Sequence, residues 1–237
     1  MRLSRSVVAL APLAVVLVAP SVAGAGGLAT SDRVLVSPTQ HVDGLDAGEA
    51  MGLTWVRGYT LPADENPFLG NSAPCVRLGG HGTILVGVGY QPVPCTVDSS
   101  TTVLVWGLSN TCDTVDPLSP FYAVGERAQR ACAVATIEPV VQEIRFSIDG
   151  SPPIDLHQRR FAIFSPQYRV RLRADNPFGV PPGPATFTAY GWMAWLSNLP
   201  PGRHTLRSES IFNDGSESYV IEIALDVVRG RDSRAGG

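Results

Sequence analysis

Apolar and polar residues alternate along most of the second half of this chain. In "EIRFSIDGS", Ile144, Phe146 and Ile148 fall on one side and Arg145, Ser147 and Asp149 on the other. "QYRVRLRADN" sets Tyr168, Val170 and Leu172 against Arg169, Arg171 and Arg173. "YVIEIALDVV" puts Tyr219, Ile221, Ile223, Leu225 and Val227 on one face. A period of two is the mark of a strand with one covered and one wet face. "TILVGVGY" and "TTVLVWGL" are instead near-continuous apolar runs, as expected of strands buried on both faces. The corners come from 24 Gly and 20 Pro, among them Asp149-Gly150, Leu199-Pro200-Pro201-Gly202 and Asn213-Asp214-Gly215. The last two bracket a strand from Thr205, so the chain is expected to close with a hairpin.

One stretch breaks the β pattern. In "GLDAGEAMGLTWVRGY", Ala47, Ala50, Met51, Trp55 and Gly58 fall on one helical face, with Asp46 at the N-cap position. This predicts one short helix, weakened by Gly48 and Gly52. Residues 113 to 135 are the one later stretch that could hold a helix, around Gly125 to Ala133. The fold expected is mainly β: an antiparallel β-sandwich, immunoglobulin-like or jelly-roll-like, with one short N-terminal helix.

The start of the chain has its own plan. Arg2 and Arg5 precede an apolar run from Val7 to Val18, and Ala23-Gly24-Ala25 follows. That is the layout of a secretory signal peptide, with cleavage expected after Ala25. The run is too short for a membrane span, which needs roughly 20 residues, so no integral membrane segment is expected after cleavage. The expected organisation is a signal peptide at 1–25, an exposed lead-in at 26–43, a single β-rich domain at 44–229 and a disordered tail at 230–237. A secreted, extracellular location follows.

Export makes disulfides the default state of Cys75, Cys95, Cys112 and Cys132. Four cysteines allow three pairings. The gaps from Cys75 to Cys95 and from Cys112 to Cys132 are both 20 residues, which points to two local pairs. Zinc is disfavoured, because no short Cys spacing and no neighbouring His is present.

The residues "ENPF" (65–68), Cys75 before a Gly-rich apolar strand, "PCTV" (94–97) before "TVLVWGLSN", and Cys112 resemble a family of secreted bacterial proteins of unassigned function. So do "IDG" (148–150), "SPQYRVRL" (165–172), "DNPFG" (175–179) and "YGWMAWLSNLPPGRHTLR" (190–207). The resemblance spans most of residues 55 to 228 and departs at "LGGHGTILVGV" (78–88). It implies secretion, disulfides and a β fold, and carries over no catalytic residue. The Leu-Pro-Pro-Gly corner before His-Thr-Leu is also similar to the final hairpin of many immunoglobulin-like sandwiches, a likeness of fold alone.

Composition narrows the chemistry. All 18 basic residues are Arg and the net charge is −3, so there is no lysine chemistry and no basic footprint for nucleic acid. No nucleophile elbow, metalloprotease helix or phosphate loop is present. Catalytic residues are therefore assigned to none, and His204 is read as part of a turn. Turn-borne carboxylates remain: Glu65, Asp113, Asp116, Asp149, Asp155 and Asp175. Two of these in one cleft could hydrolyse a glycan. The echo of "DENPF" and "DNPF" could offer oxygen ligands to calcium, or simply form Asx turns; no other cofactor or metal is indicated. Arg169, Arg171 and Arg173 form a cationic row that could hold an anionic glycan, unless acids such as Glu222 and Asp226 neutralise it. Trp195, if exposed, could stack on a sugar. The first functional expectation is a non-enzymatic module binding a glycan, envelope polymer or other extracellular ligand. The second is a secreted hydrolase of a glycan or cell-wall polymer.

Overall fold

The computed structural model describes residues 35–62, 64–66, 68, 75–79, 84–87 and 94–229. The expected signal peptide, residues 26–34 of the lead-in and the expected tail at 230–237 lie outside these residues. The described chain is a β-sandwich with two helices. Its strands are β1 (Leu35–Val36), β2 (Cys75–Leu78), β3 (Ile84–Gly87), β4 (Pro94–Asp98), β5 (Thr102–Asp113), β6 (Val141–Ile148), β7 (Ile154–Asp155), β8 (Ala162–Phe164), β9 (Tyr168–Leu172), β10 (Gly183–Leu196), β11 (Gly202–Phe212) and β12 (Tyr219–Val228). The helices are α1 (Ala47–Thr60) and α2 (Glu126–Ile137).

The first sheet has the order β1-β10-β5-β3-β2, with β8 and β9 also paired to β10; the second runs β4-β12-β11-β6-β7. Two pairings are parallel, β3 with β5 and β4 with β12, in an otherwise antiparallel arrangement. The terminal hairpin forms as expected, with Gly202 opposite Val227 and Ser210 opposite Tyr219. The Pro-Pro-Gly bend ahead of it does a different job from a hairpin turn. It carries the chain from β10 in the first sheet to β11 in the second.

Strand β10 fixes the layering. Ala185 and Phe187 pack against Tyr59 of α1, while Thr186 and Thr188 bond Gln129 of α2. Neighbouring residues on a strand point to opposite faces, so the helices lie on opposite faces of the first sheet. The alternation of β5 agrees: Ser109, Thr111 and Asp113 meet α1, whereas Asn110 and Cys112 meet α2. The second sheet shares the α2 side, where the buried Ser208 and Ser210 donate to Gly107 O.

Both disulfides form in the expected pairing, with Cα separations of 5.8 Å for Cys75–Cys95 and 6.0 Å for Cys112–Cys132. The first joins β2 to β4 and so links the two sheets, helped by Arg77 donating to Thr96 O at 2.8 Å. The second pins α2 to β5. Each closes a loop for which loop-closure entropy gives about 3 kcal/mol.

Helix α1 starts with a full capping box. The Asp46 carboxylate accepts from Glu49 N–H, and the Glu49 carboxylate from Asp46 N–H. In addition to the expected N-terminal helix, the later stretch around Gly125 to Ala133 is also helical and forms α2. Its N-cap is Gly125 with no side-chain cap, and only Gln129, Ala133 and Ile137 are buried. Its buried face runs Gln129, Ala133, Ile137, one residue per turn, and the Cys112–Cys132 disulfide and the Gln129 hydrogen bonds add to its hold on the sheet.

The glycines that weaken α1 allow it to lie close to the sheet. A Cβ on Gly48 would sit 2.1 Å from Phe164 O, and one on Gly52 2.2 Å from a carbon of the Tyr168 ring. The Gly48 contact is with backbone and cannot swing away. Ala there would gain about 1 kcal/mol of helix propensity but force an overpacked contact costing about 1–3 kcal/mol or more. Gly48→Ala is therefore expected to lower the thermal midpoint; a rise would contradict this packing.

Candidate functional site

The residues singled out in the sequence are scattered by the fold. Trp195 is fully buried, and its indole N–H donates to Gln40 O at 2.7 Å, so it presents no stacking face. Arg169 and Arg171 are exposed on β9. Arg173 pairs with Asp175 at 2.9 Å. Glu222 and Asp226 do not neutralise this row: they lie on β12 in the other sheet, where Glu222 meets Arg207 at 3.5 Å. His204 is clamped between Asp149 Oδ2 at 2.7 Å and Pro200 O at 2.8 Å, which leaves neither ring nitrogen free to act as a base.

The two Asn-Pro-Phe echoes are Asx turns. Asn66 Oδ1 accepts from Phe68 N–H and its Nδ2 donates to Gly58 O. Asn176 Oδ1 accepts from Phe178 N–H, and its Nδ2 donates to Arg173 O and Val180 O. In both turns the asparagine oxygen is held by backbone. Among the described residues, His41, Asp46 and Glu49 come close enough to share a metal. The two carboxylates already cap α1, and the positive end of the helix dipole opposes a cation there.

Polar groups and space converge elsewhere. A cleft of about 360 Å³ opens on the α1 side of β5. Its inner wall is the run Ser109, Thr111 and Asp113; Trp55 of α1, Asp116 and Phe121 from the following loop, and Phe178 also line it. Each wall has a local cause. Trp55 stacks on Phe68 with ring centres 4.4 Å apart and donates its indole N–H to Ser109 Oγ at 3.0 Å. Phe178 is set over Tyr59 at 4.9 Å by the second Asx turn. Asp113 sits at the end of β5, only 7% exposed. The side-chain oxygens of Asp113 accept from Val115 N–H and from the Tyr59 hydroxyl, which also bonds Thr111 Oγ1.

Burial raises the Asp113 carboxyl above its ordinary range, and the hydrogen bonds from Tyr59 and Val115 only partly offset this; the nearby Asp116 adds a small push in the same direction. The Tyr59 hydroxyl is driven well up by burial and by Asp113. Asp113 and Asp116 are the two turn-borne carboxylates that the fold brings into one cleft. Tyr59 was not legible as a site residue: its partners lie 52 and 54 positions away in the chain.

A second recess, of about 510 Å³, lies beside the end of α2 and is lined by Glu138, His157, Phe164, Tyr190 and Trp192. Tyr190 donates to Glu138, and His157 Nδ1 lies 3.3 Å from Gln142 O. Its aromatic floor is poorly accessible, since Tyr190 and Trp192 are 5% and 1% exposed. No protein-family model matches the chain, and no curated protein or solved structure matches it significantly.

A carboxyl raised by burial stabilises the fold while protonated, and that stability is lost as pH rises through its folded value. Asparagine can keep its oxygen on Val115 N–H and turn its amide NH2 to the Tyr59 hydroxyl, which then accepts and donates instead to Thr111 Oγ1, all without charge. Asp113→Asn is therefore expected to raise the thermal midpoint at neutral pH by a few degrees. The gain should vanish as pH falls to the ordinary carboxylate range. A midpoint lowered at neutral pH would show that the charge is well accommodated.

Proposed function

We propose that this protein is a secreted, disulfide-bonded binding module without enzymatic activity. Its ligand is an extracellular or envelope-borne molecule that places a compact group in the cleft over β5. The observation that carries this reading is the cleft itself: about 360 Å³, walled by Trp55, Phe121 and Phe178, with a buried Asp113 inside. Sites for small molecules occupy roughly 300–1,000 Å³ and combine apolar walls with a few fixed polar groups. The two disulfides support an oxidising destination. No helix among the described residues is long and apolar enough to cross a membrane.

A glycan hydrolase is the second reading, favoured by Asp113 and Asp116 lining the same cleft. Binding is preferred because both Asp113 oxygens already accept hydrogen bonds from the protein. Neither is held ready to donate a proton to a leaving group.

The test incubates the oxidised protein with isolated envelope polymers and glycans, with and without calcium. Retention on at least one polymer, lost in Phe178→Ala and accompanied by no release of soluble fragments, is expected. Retention on none would overturn the binding reading. Fragment release that disappears in Asp113→Asn or Asp116→Asn would establish the hydrolase.

A further inference from the structure

We infer that the cleft over β5 selects an organic cation, an ammonium group carried on an apolar body; this deepens the binding reading and rests on it. Three features of the site converge on that chemistry. Among the described residues lining the cleft, the charged ones are Asp113 and Asp116, and none is basic. The site therefore carries negative charge with no counter-ion of its own.

The second feature is the state of Asp113. It is 7% exposed, its protein partners are the neutral donors Tyr59 and Val115, and no cationic side chain among the described residues is paired with it. Burying a carboxylate without a partner is costly. A cation entering the cleft supplies the missing opposite charge, so the unfavourable state of the empty site becomes affinity for a ligand of that sign. Such latent binding strength at the expense of fold stability is typical of functional sites.

The third feature is the character of the walls. Trp55, Phe121 and Phe178 are the aromatic lining residues. Phe121 and Phe178 are each 41% exposed, so both rings have surface to offer a ligand. Aromatic faces attract cations through their quadrupoles, by about 0.5–2 kcal/mol. The same rings accept an apolar body. An anion would meet two carboxylates and no donor side chain of positive charge.

Three matched probes test this: 4-phenylbutylammonium, 4-phenylbutanol and 4-phenylbutyrate, titrated into the oxidised protein and followed by calorimetry and tryptophan fluorescence. The ammonium is expected to bind at least about tenfold more tightly than the alcohol, and the carboxylate most weakly. Asp113→Asn is expected to weaken the ammonium about tenfold and leave the alcohol within about twofold. Asp116→Asn should give a smaller loss of the same kind. Equal binding of ammonium and alcohol, or preference for the carboxylate, would overturn cation selectivity and leave the cleft as a binding site. Failure of the ammonium probe to bind the native protein would overturn cation selectivity, while the binding reading itself is decided by retention on the envelope polymers.

Discussion

The burial of β10 on both faces is the constraint on which the rest of the structure depends. From Phe187 to Leu196 every residue of this strand is buried. Its edges are paired as well, with β5 along one and with β9, β8 and β1 in turn along the other. A strand in this position leaves no backbone group to solvent and tolerates no polar side chain without a partner. The polar residues it does bury are matched: Thr188 with Gln129, and the Tyr190 hydroxyl with Glu138. Helix α1 has to cover one face and α2 with the second sheet the other. The glycines of α1, the disulfide holding α2 and the inter-sheet disulfide all serve that covering.

The cleft is a consequence of where the covering stops. Helix α1 ends at Thr60, and beyond Trp55 and Tyr59 the outer side of β5 is covered by loops rather than by helix. The wall left there is the polar run Ser109, Thr111 and Asp113. Tyr59 reaches down to this run and fixes it, but its hydroxyl carries no charge to set against Asp113. A buried acid with neutral partners, flanked by partly exposed rings, is a poor stabiliser of the fold and a suitable receptor for a cation. Strand burial and helix length thus set the charge of the cleft and the sign of the ligand proposed for it.

Much of the scaffold was legible because its signals are local. The alternation in β6, β9 and β12 survives as buried Ile144, Phe146, Val170, Leu172, Ile221 and Ile223. The equal cysteine gaps identified the disulfide pairs, and Asp46 marked the start of α1. Helix α2 was legible only as a stretch that could be helical, since Gln129 sits on its buried face beside Ala133 and Ile137 and its partners Thr186 and Thr188 lie 57 and 59 positions away. Trp195 shows the limit of parity: alternation assigns a face, but not whether another layer covers it. Sheet membership, which alternation does not encode, separates the arginines of β9 from the acids of β12. The cleft needed contacts across more than 50 positions between Tyr59 and β5, and no local pattern announces those.

The most direct measurement is a ¹H–¹⁵N spectrum of the oxidised protein, read at its tryptophan indole N–H resonances during addition of a bound ligand. The Trp55 indole donates to Ser109 at the wall of the cleft, whereas the Trp195 indole is sealed against Gln40 O. The account predicts that the Trp55 signal moves with saturation while those of Trp192 and Trp195 hold still. Saturable movement of Trp192 with Trp55 unchanged would place the ligand in the recess beside α2 and contradict it.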